Sequence, residues 1–225
     1  NIGTGAAART ITLGNSTGAT ALDINLGCSG YPYGLMTAAS LLDNFDNKRI
    51  ILVVGDQSAS YGAEDNGREI LFGDACSATA LEYDEHAAPI YFEGFSDGEG
   101  AKAIYIPEGG KRKPIDSESH KPKLREDGII RTGTDVWLNG PEILSFSTRK
   151  IPEAVNSILE KTDFEKKDIF RYYFHQANLI INKTINKKLG LTYSEAPLSL
   201  REYGNTSSTS IPITLCMDKS SFDDT

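Results

Sequence analysis

Three residues in this chain have side chains that could do chemistry together: Cys28, His175 and Asn205. Cys28 stands in Gly27-Cys28-Ser29-Gly30, just ahead of a predicted helix. A helix N-terminus offers unpaired backbone N–H groups and a partial positive charge, and both favour a thiolate. Such placement can take a cysteine from its ordinary value of about 8.5 into the range of about 3.5 to 7.5. Gly27 and Gly30 allow the tight turn that would expose the sulfur. His175 follows a predicted strand, and strand ends are where open α/β sheets carry their reactive groups. Asn205 lies in Tyr203-Gly204-Asn205-Thr206 ahead of a predicted helix, where its amide could be aimed into a cleft. Each has a plainer alternative: a buried structural cysteine, a packed strand-end histidine, and a turn or helix-cap residue.

Taken together, Cys, His and Asn in this order suit two chemistries. In a papain-like hydrolase the Asn orients the His that activates the Cys. The wide Cys28-to-His175 spacing is compatible with that class, but the C-G-S-C-[WY] signature is absent because Cys28 is followed by Ser-Gly-Tyr. In decarboxylative condensation Cys28 would take up an acyl group as a thioester. His175 Nε2–H and the Asn205 amide N–H would then stabilise the enolate formed as CO₂ leaves.

The elements that must position these residues alternate. Residues 18–27 are predicted as a short buried strand and residues 30–42 as a helix with Leu35, Met36, Ala39 and Leu42 at helical spacing. Residues 49–55 are a continuous apolar run, as in a strand buried on both faces. Strand, helix, strand predicts a βαβ unit and an at least partly parallel sheet. Gly73-Asp74 marks a turn before a strand from about Cys76, and residues 90–95 read as another strand. Residues 96–134 are rich in Gly, Pro, Ser, Lys and Glu and are predicted as a long surface excursion with a short strand at 103–106. A helix follows from Pro141 to about Lys161, then a strand over 168–174, a helix over 177–189 closed by Gly190, and a last helix from Ser210. The division expected is an N-terminal half, 1–134, and a C-terminal half, 135–225.

Composition removes several classes. A 225-residue chain with 39% hydrophobic and 24% charged residues suits a globular protein with a sizeable core. A formal net charge of −8 argues against nucleic acid as a main partner. The basic stretch from Lys111 to Lys123 reads as a solvated loop or a local patch for an acidic or phosphate-bearing partner. Three cysteines without framework spacing fit a reducing cytoplasm. Three histidines with neither CxxC nor HExxH leave little room for a zinc site, and no metal is expected. No apolar run reaches membrane-spanning length and the N-terminus lacks a signal-peptide pattern, so a cytoplasmic, membrane-free protein is expected. A chain starting at Asn1 rather than Met is expected to begin inside a longer protein.

Four motifs in order carry a resemblance: Ala21-Leu-Asp-Ile-Asn-Leu-Gly-Cys28-Ser-Gly-Tyr31, Leu71-Phe-Gly-Asp74, Phe174-His-Gln-Ala-Asn178 and Gly204-Asn-Thr-Ser-Ser-Thr-Ser-Ile-Pro212. The chain resembles the β-ketoacyl-acyl carrier protein synthase III family. That resemblance implies a thiolase-like layered αβαβα sandwich with mixed sheets, incomplete at both ends, usually assembled as a homodimer. It implies Cys28 as acyl acceptor, with His175 and Asn205 as the decarboxylation pair. It places Asn178, Arg68 and Gly140 near the CoA and pantetheine arm, with Gln176 supporting the loop. It puts Lys183, Lys187 and Lys188 on the face presented to acyl carrier protein. No cofactor is implied to stay bound; acyl-CoA and acyl carrier protein are the implied substrates. Against the family pattern, Ile180 and Asn66 stand where arginines are usual, which bears on carrier docking and on the adenine contact, with Arg68 close by. The family's first strands would precede Asn1. Its last strands, with a Gly-rich loop supplying half of an oxyanion hole, would follow Thr225.

The function implied is decarboxylative condensation of an acyl-CoA primer with malonyl carrier protein. A same-fold acyltransferase passing the Cys28 acyl group to oxygen or nitrogen is the alternative. A non-catalytic, partner-dependent subunit is the alternative of another class. An intact Cys28, His175 and Asn205 set favours the first.

Overall fold

The computed structural model describes residues 21–44, 49–57, 71–124 and 128–223. Arg68, Asn66 and the start of the 18–27 segment lie outside the described residues.

Helix α1 (Gly30–Asn44) opens directly after Cys28. It buries Tyr31, Gly34, Ala38 and Leu42, an i, i+3, i+7, i+11 stripe. Only Leu42 of the four expected apolar positions belongs to the deep face. Glycine sets the reason: a Cβ at Gly34 would lie 2.7 Å from Leu52 Cδ1, so the helix is turned to bring its smallest side chain against the sheet.

Strand β1 (Arg49–Asp56) pairs antiparallel with β2 (Ala75–Glu82), from Arg49 opposite Glu82 to Asp56 opposite Ala75. β1 is not buried on both faces. Its burial alternates, and Ile51 is 69% exposed, because α1 covers only one side of the pair. Three further expectations of strand are corrected among the described residues. Residues 21–26 form no ladder; Leu26 N–H turns back to the Ile24 carbonyl at 3.2 Å. The first strand of the predicted parallel βαβ unit is therefore not seen there, and the described ladders are antiparallel. Residues 90–95 are irregular and held by side chains, with Phe92 edge-on to Tyr33 and Glu93 bonded to Ser157 and Lys161. Residues 168–174 also lack a ladder; the Tyr172 N–H instead reaches the Glu195 carbonyl at 2.8 Å.

The long middle segment contains three very short strands. β3 (Ile104–Tyr105) and, further on, β6 (Trp137–Leu138) pair with each other, as do β4 (Lys123–Leu124) and β5 (Ile130–Arg131). Helix α2 (Gly140–Thr162) follows, capped by the Asn139 side chain on Glu142 N–H. Pro152 lies inside it. Proline has no N–H, so the Thr148 carbonyl one turn earlier loses its helical donor. Lys188 Nζ supplies a replacement at 2.8 Å.

Helix α3 (Leu179–Leu189) is bounded by Asn178 as N-cap and by Gly190 at φ 73°, the left-handed cap position. Its buried face of Ile181, Ile185 and Leu189 packs on Ile143, Leu144, Ile151 and Val155 of α2 and on Phe174. The short helix α4 (Leu200–Tyr203) leads into the Asn205 segment, and α5 (Ser210–Met217) leaves it. Asp218, just past α5, accepts from Arg171 at 2.9 Å and Tyr173 at 2.7 Å, which ties the 170–174 segment to that helix. Among the described residues no helix is long and apolar enough to cross a membrane.

Candidate active site

The sequence brings Cys28 to the turn that starts α1. Gly30 N–H bonds to the Gly27 carbonyl at 2.8 Å, so Cys28 and Ser29 are the two central residues of that turn. Cys28 itself is exposed. Gly30 is needed for close approach: a Cβ there would sit 3.2 Å from the Ser208 Cβ.

Asn205 is fixed by the Leu71-Phe-Gly-Asp74 motif. Phe72 and Asn205 form a parallel bridge, with Asn205 N–H on the Leu71 carbonyl at 2.8 Å and Gly73 N–H on the Asn205 carbonyl at 3.0 Å. The approach requires two glycines. A Cβ at Gly73 would fall 2.1 Å from the Tyr203 carbonyl oxygen. Gly204 has φ 65°, and a Cβ there would meet the Leu71 carbonyl oxygen at 2.9 Å. Thr209 Oγ1 then bonds to the carbonyls at the ends of β1 and β2, Val54 at 3.5 Å and Ala75 at 3.3 Å.

His175 is held from below. Gln176 is fully buried; its Nε2 donates to the Phe174 carbonyl at 2.8 Å and its Oε1 accepts from Ser199 N–H at 3.2 Å. Asn182, equally buried on α3, donates to the His175 carbonyl at 3.1 Å. The ring Nδ1 of His175 lies 2.7 Å from Ser210 Oγ, the first residue of α5.

The three candidate residues meet around Ser207. Its hydroxyl points at Cys28 Sγ, 4.0 Å away. Its N–H donates to Asn205 Oδ1 at 2.9 Å. Its carbonyl accepts from Ser210 Oγ at 2.9 Å, the same oxygen that contacts the His175 ring. With Oδ1 engaged, the Asn205 amide presents N–H donors; with Nδ1 engaged, the His175 ring presents Nε2.

The electrostatics of the pair differ from expectation at Cys28. Crowding by surrounding protein pushes the thiol above its ordinary value. The Ser207 hydroxyl and the backbone at Cys28 work the other way, and Asp56 adds to the rise. The balance at this thiol is therefore upward, opposite to the expected depression. His175 behaves as the condensation reading needs. Burial drives its pKa down to about 4, partly opposed by the Ser207 backbone, so the ring is neutral at physiological pH.

The remaining expected residues lie outward from this cluster. Asn178 uses its side-chain oxygen to cap α3 on Ile181 N–H at 2.8 Å, leaving its amide N–H groups. Gly140 opens α2 and is exposed. Lys183, Lys187 and Lys188 are exposed on α3, with Lys188 engaged at Thr148, and Ile180 is 67% exposed beside them. Ser207, Ser210, Gly73, Asn182 and the structural role of Gln176 complete the site. The signal for the serines was the hydroxyl-rich run after Asn205, which also reads as an ordinary cap.

The arrangement is that of a thiolase-like α/β fold. A crystal structure of a 3-oxoacyl-(acyl-carrier-protein) synthase III superposes with a TM-score of 0.84 at 30% identity, covering 92% of this chain and 62% of that one. The corresponding synthase from Burkholderia xenovorans LB400 gives 0.75 at 35% identity, over 88% and 56%. The family model for 3-oxoacyl-[acyl-carrier-protein] synthase III matches residues 22–98, and that for its C-terminal part matches residues 159–221. The β-ketoacyl-[acyl-carrier-protein] synthase III of Caldanaerobacter subterraneus subsp. tengcongensis is 32% identical over 200 residues, 88% of this chain and 57% of that protein. The chain belongs to the 3-oxoacyl-[acyl-carrier-protein] synthase III family. It spans a little over half the length of the curated relatives it matches.

Proposed function

We propose that the protein is a β-ketoacyl-acyl carrier protein synthase III that condenses an acyl-CoA primer with malonyl-acyl carrier protein. One observation carries this reading: the single residue Ser207 contacts Cys28 and Asn205 directly and His175 through Ser210.

Cys28 sulfur attacks the primer thioester carbonyl; the bond to CoA sulfur breaks, and the thiol proton leaves with the CoA. Malonyl carrier protein then loses CO₂, and the electron pair of the broken C–C bond forms an enolate. His175 Nε2–H and Asn205 N–H donate to the enolate oxygen. A neutral His175 serves as such a donor in the tautomer in which the single Ser210 hydroxyl proton turns from the Ser207 carbonyl to His175 Nδ1. The carbanion attacks the Cys28 thioester, the ketoacyl product forms, and Cys28 leaves as thiolate. Asn178, Gly140 and Arg68 belong in this reading to the CoA and pantetheine path. Lys183 and Lys187 offer exposed cations for an acidic carrier protein. A homodimer, the division at about residue 134 and a reducing cytoplasm are parts of the same reading, the last supported by three free cysteines.

The test is intact-mass spectrometry of the full-length protein with a panel of acyl-CoAs, beside Cys28→Ala. An acyl adduct absent from the variant, then discharged by malonyl carrier protein to a ketoacyl product, is expected. A folded protein that takes no adduct from any acyl-CoA or acyl carrier protein primer overturns the reading. Discharge only to an oxygen or nitrogen acceptor would turn it into the acyltransferase alternative.

A further inference from the structure

Ser207 is unusual in its backbone. It has φ 52°, in the left-handed region that non-glycine residues seldom occupy, although it is buried. Strain of this kind persists only where the surroundings over-determine it. Here they do. The N–H is drawn to Asn205 Oδ1, the carbonyl receives both the N–H and the hydroxyl of Ser210, and the side chain is left facing Cys28. A relaxed right-handed Ser207 would break this set of directions, because N–H, Cβ and carbonyl turn together about φ.

We propose that Ser207 is a positioning residue for the nucleophile: its strained backbone aims its hydroxyl at Cys28 Sγ, where O–H donation stabilises the thiolate. The ionised group acting on Cys28 among the described residues is Asp56 at the end of β1, which disfavours the thiolate, while His175 is neutral. Helix α1 contributes its N-terminal dipole, and the segment before it contributes the backbone at Cys28. Ser207 is thus the side chain that counters desolvation and Asp56, in line with its lowering influence on this thiol. The inference depends on Cys28 being the nucleophile of the proposed function, but its test needs no acyl substrate.

The rate of Cys28 alkylation by iodoacetamide, followed by peptide mass spectrometry across pH 6–10 in the full-length protein, reads the thiolate fraction directly. Ser207→Ala removes the hydroxyl and keeps a Cβ. Ser207→Gly removes the hydroxyl and relieves the left-handed strain, so it folds even if the first variant does not. Both are expected to react about threefold to tenfold more slowly than the parent at pH 7, with the profile displaced to higher pH, since a hydrogen bond to a charged group is strong but this contact is long. As pH rises towards 10 and the thiolate fraction grows in every form, the rates should draw together. A parent-like profile in either folded variant overturns the proposal. A uniform change in rate at every pH also overturns it, since that would reflect access rather than thiolate stabilisation. Loss of condensation with an intact alkylation difference would instead count against the function proposed above.

Discussion

At the scale of single residues the site is a contest between burial and local hydrogen bonds. His175 loses that contest as an acid: its pKa is held at about 4 against an ordinary 6.5. Between those values the unfolded chain binds more protons at this position than the folded one, so stability rises with pH there. The contribution is fully present above pH 6.5 and is lost as pH falls through about 4, a change of about 3 kcal/mol. Urea midpoints measured at pH 7 and pH 4.5 should therefore drop less for His175→Gln than for the parent chain. An equal drop would mean that the histidine is not desolvated in the folded state. Cys28 shows the opposite balance of the same forces, raised by desolvation and eased by Ser207. Its reactivity belongs to the loop opposite it as much as to its own helix.

At the scale of elements, the site is built by close backbone approaches and by one repaired helix. Gly73 and Gly204 let the Leu71–Asp74 segment bridge to Asn205, and either would need a backbone shift to hold a Cβ. Pro152 leaves the Thr148 carbonyl without a helical donor, and Lys188 on α3 fills the gap at 2.8 Å. This couples α2 to the helix that follows His175. Lys188→Ala is expected to cost about 1 kcal/mol in chemical denaturation. In a Pro152→Ala background, where residue 152 can donate to Thr148 itself, the same change should cost less than half as much. Additive effects in that double-mutant cycle would show that the lysine is a solvated cation with no part in the α2–α3 contact.

At the scale of the whole molecule, the chain has the family's fold but a little over half of its relatives' length. Ile51 and Val53 are 69% and 49% exposed on the open face of the β1–β2 pair, and Leu22, Ile24 and Leu26 are exposed beside the Cys28 turn. Apolar side chains on a two-stranded sheet face are a template for association. Residues 1–225 expressed alone should self-associate with rising concentration in size-exclusion chromatography with light scattering. A sharp, monodisperse dimer peak would contradict this.

Much of the site was legible in the amino-acid sequence, and the reasons are local. Helices α1, α2, α3 and α5 follow from apolar spacing, the Gly190 stop and prolines near helix starts, whereas the Asn178 cap did not stand out in the sequence. Cys28, His175 and Asn205 were visible because their types, order and flanking motifs are chemical facts of the chain. Strands were less legible. Residues 21–26, 90–95 and 168–174 have strand composition, yet a strand exists only when another backbone pairs with it, and pairing is set by partners distant in sequence. The same holds for the face of α1, which turns on Gly34 meeting Leu52. Tertiary structure alone decided that Ser207 adopts a left-handed conformation, that its N–H, hydroxyl and carbonyl face Asn205, Cys28 and Ser210, and that desolvation raises the Cys28 thiol. Residue identity supplies reactive groups, but protonation and hydrogen-bond partners depend on which atoms surround them, and those atoms come from opposite ends of the chain.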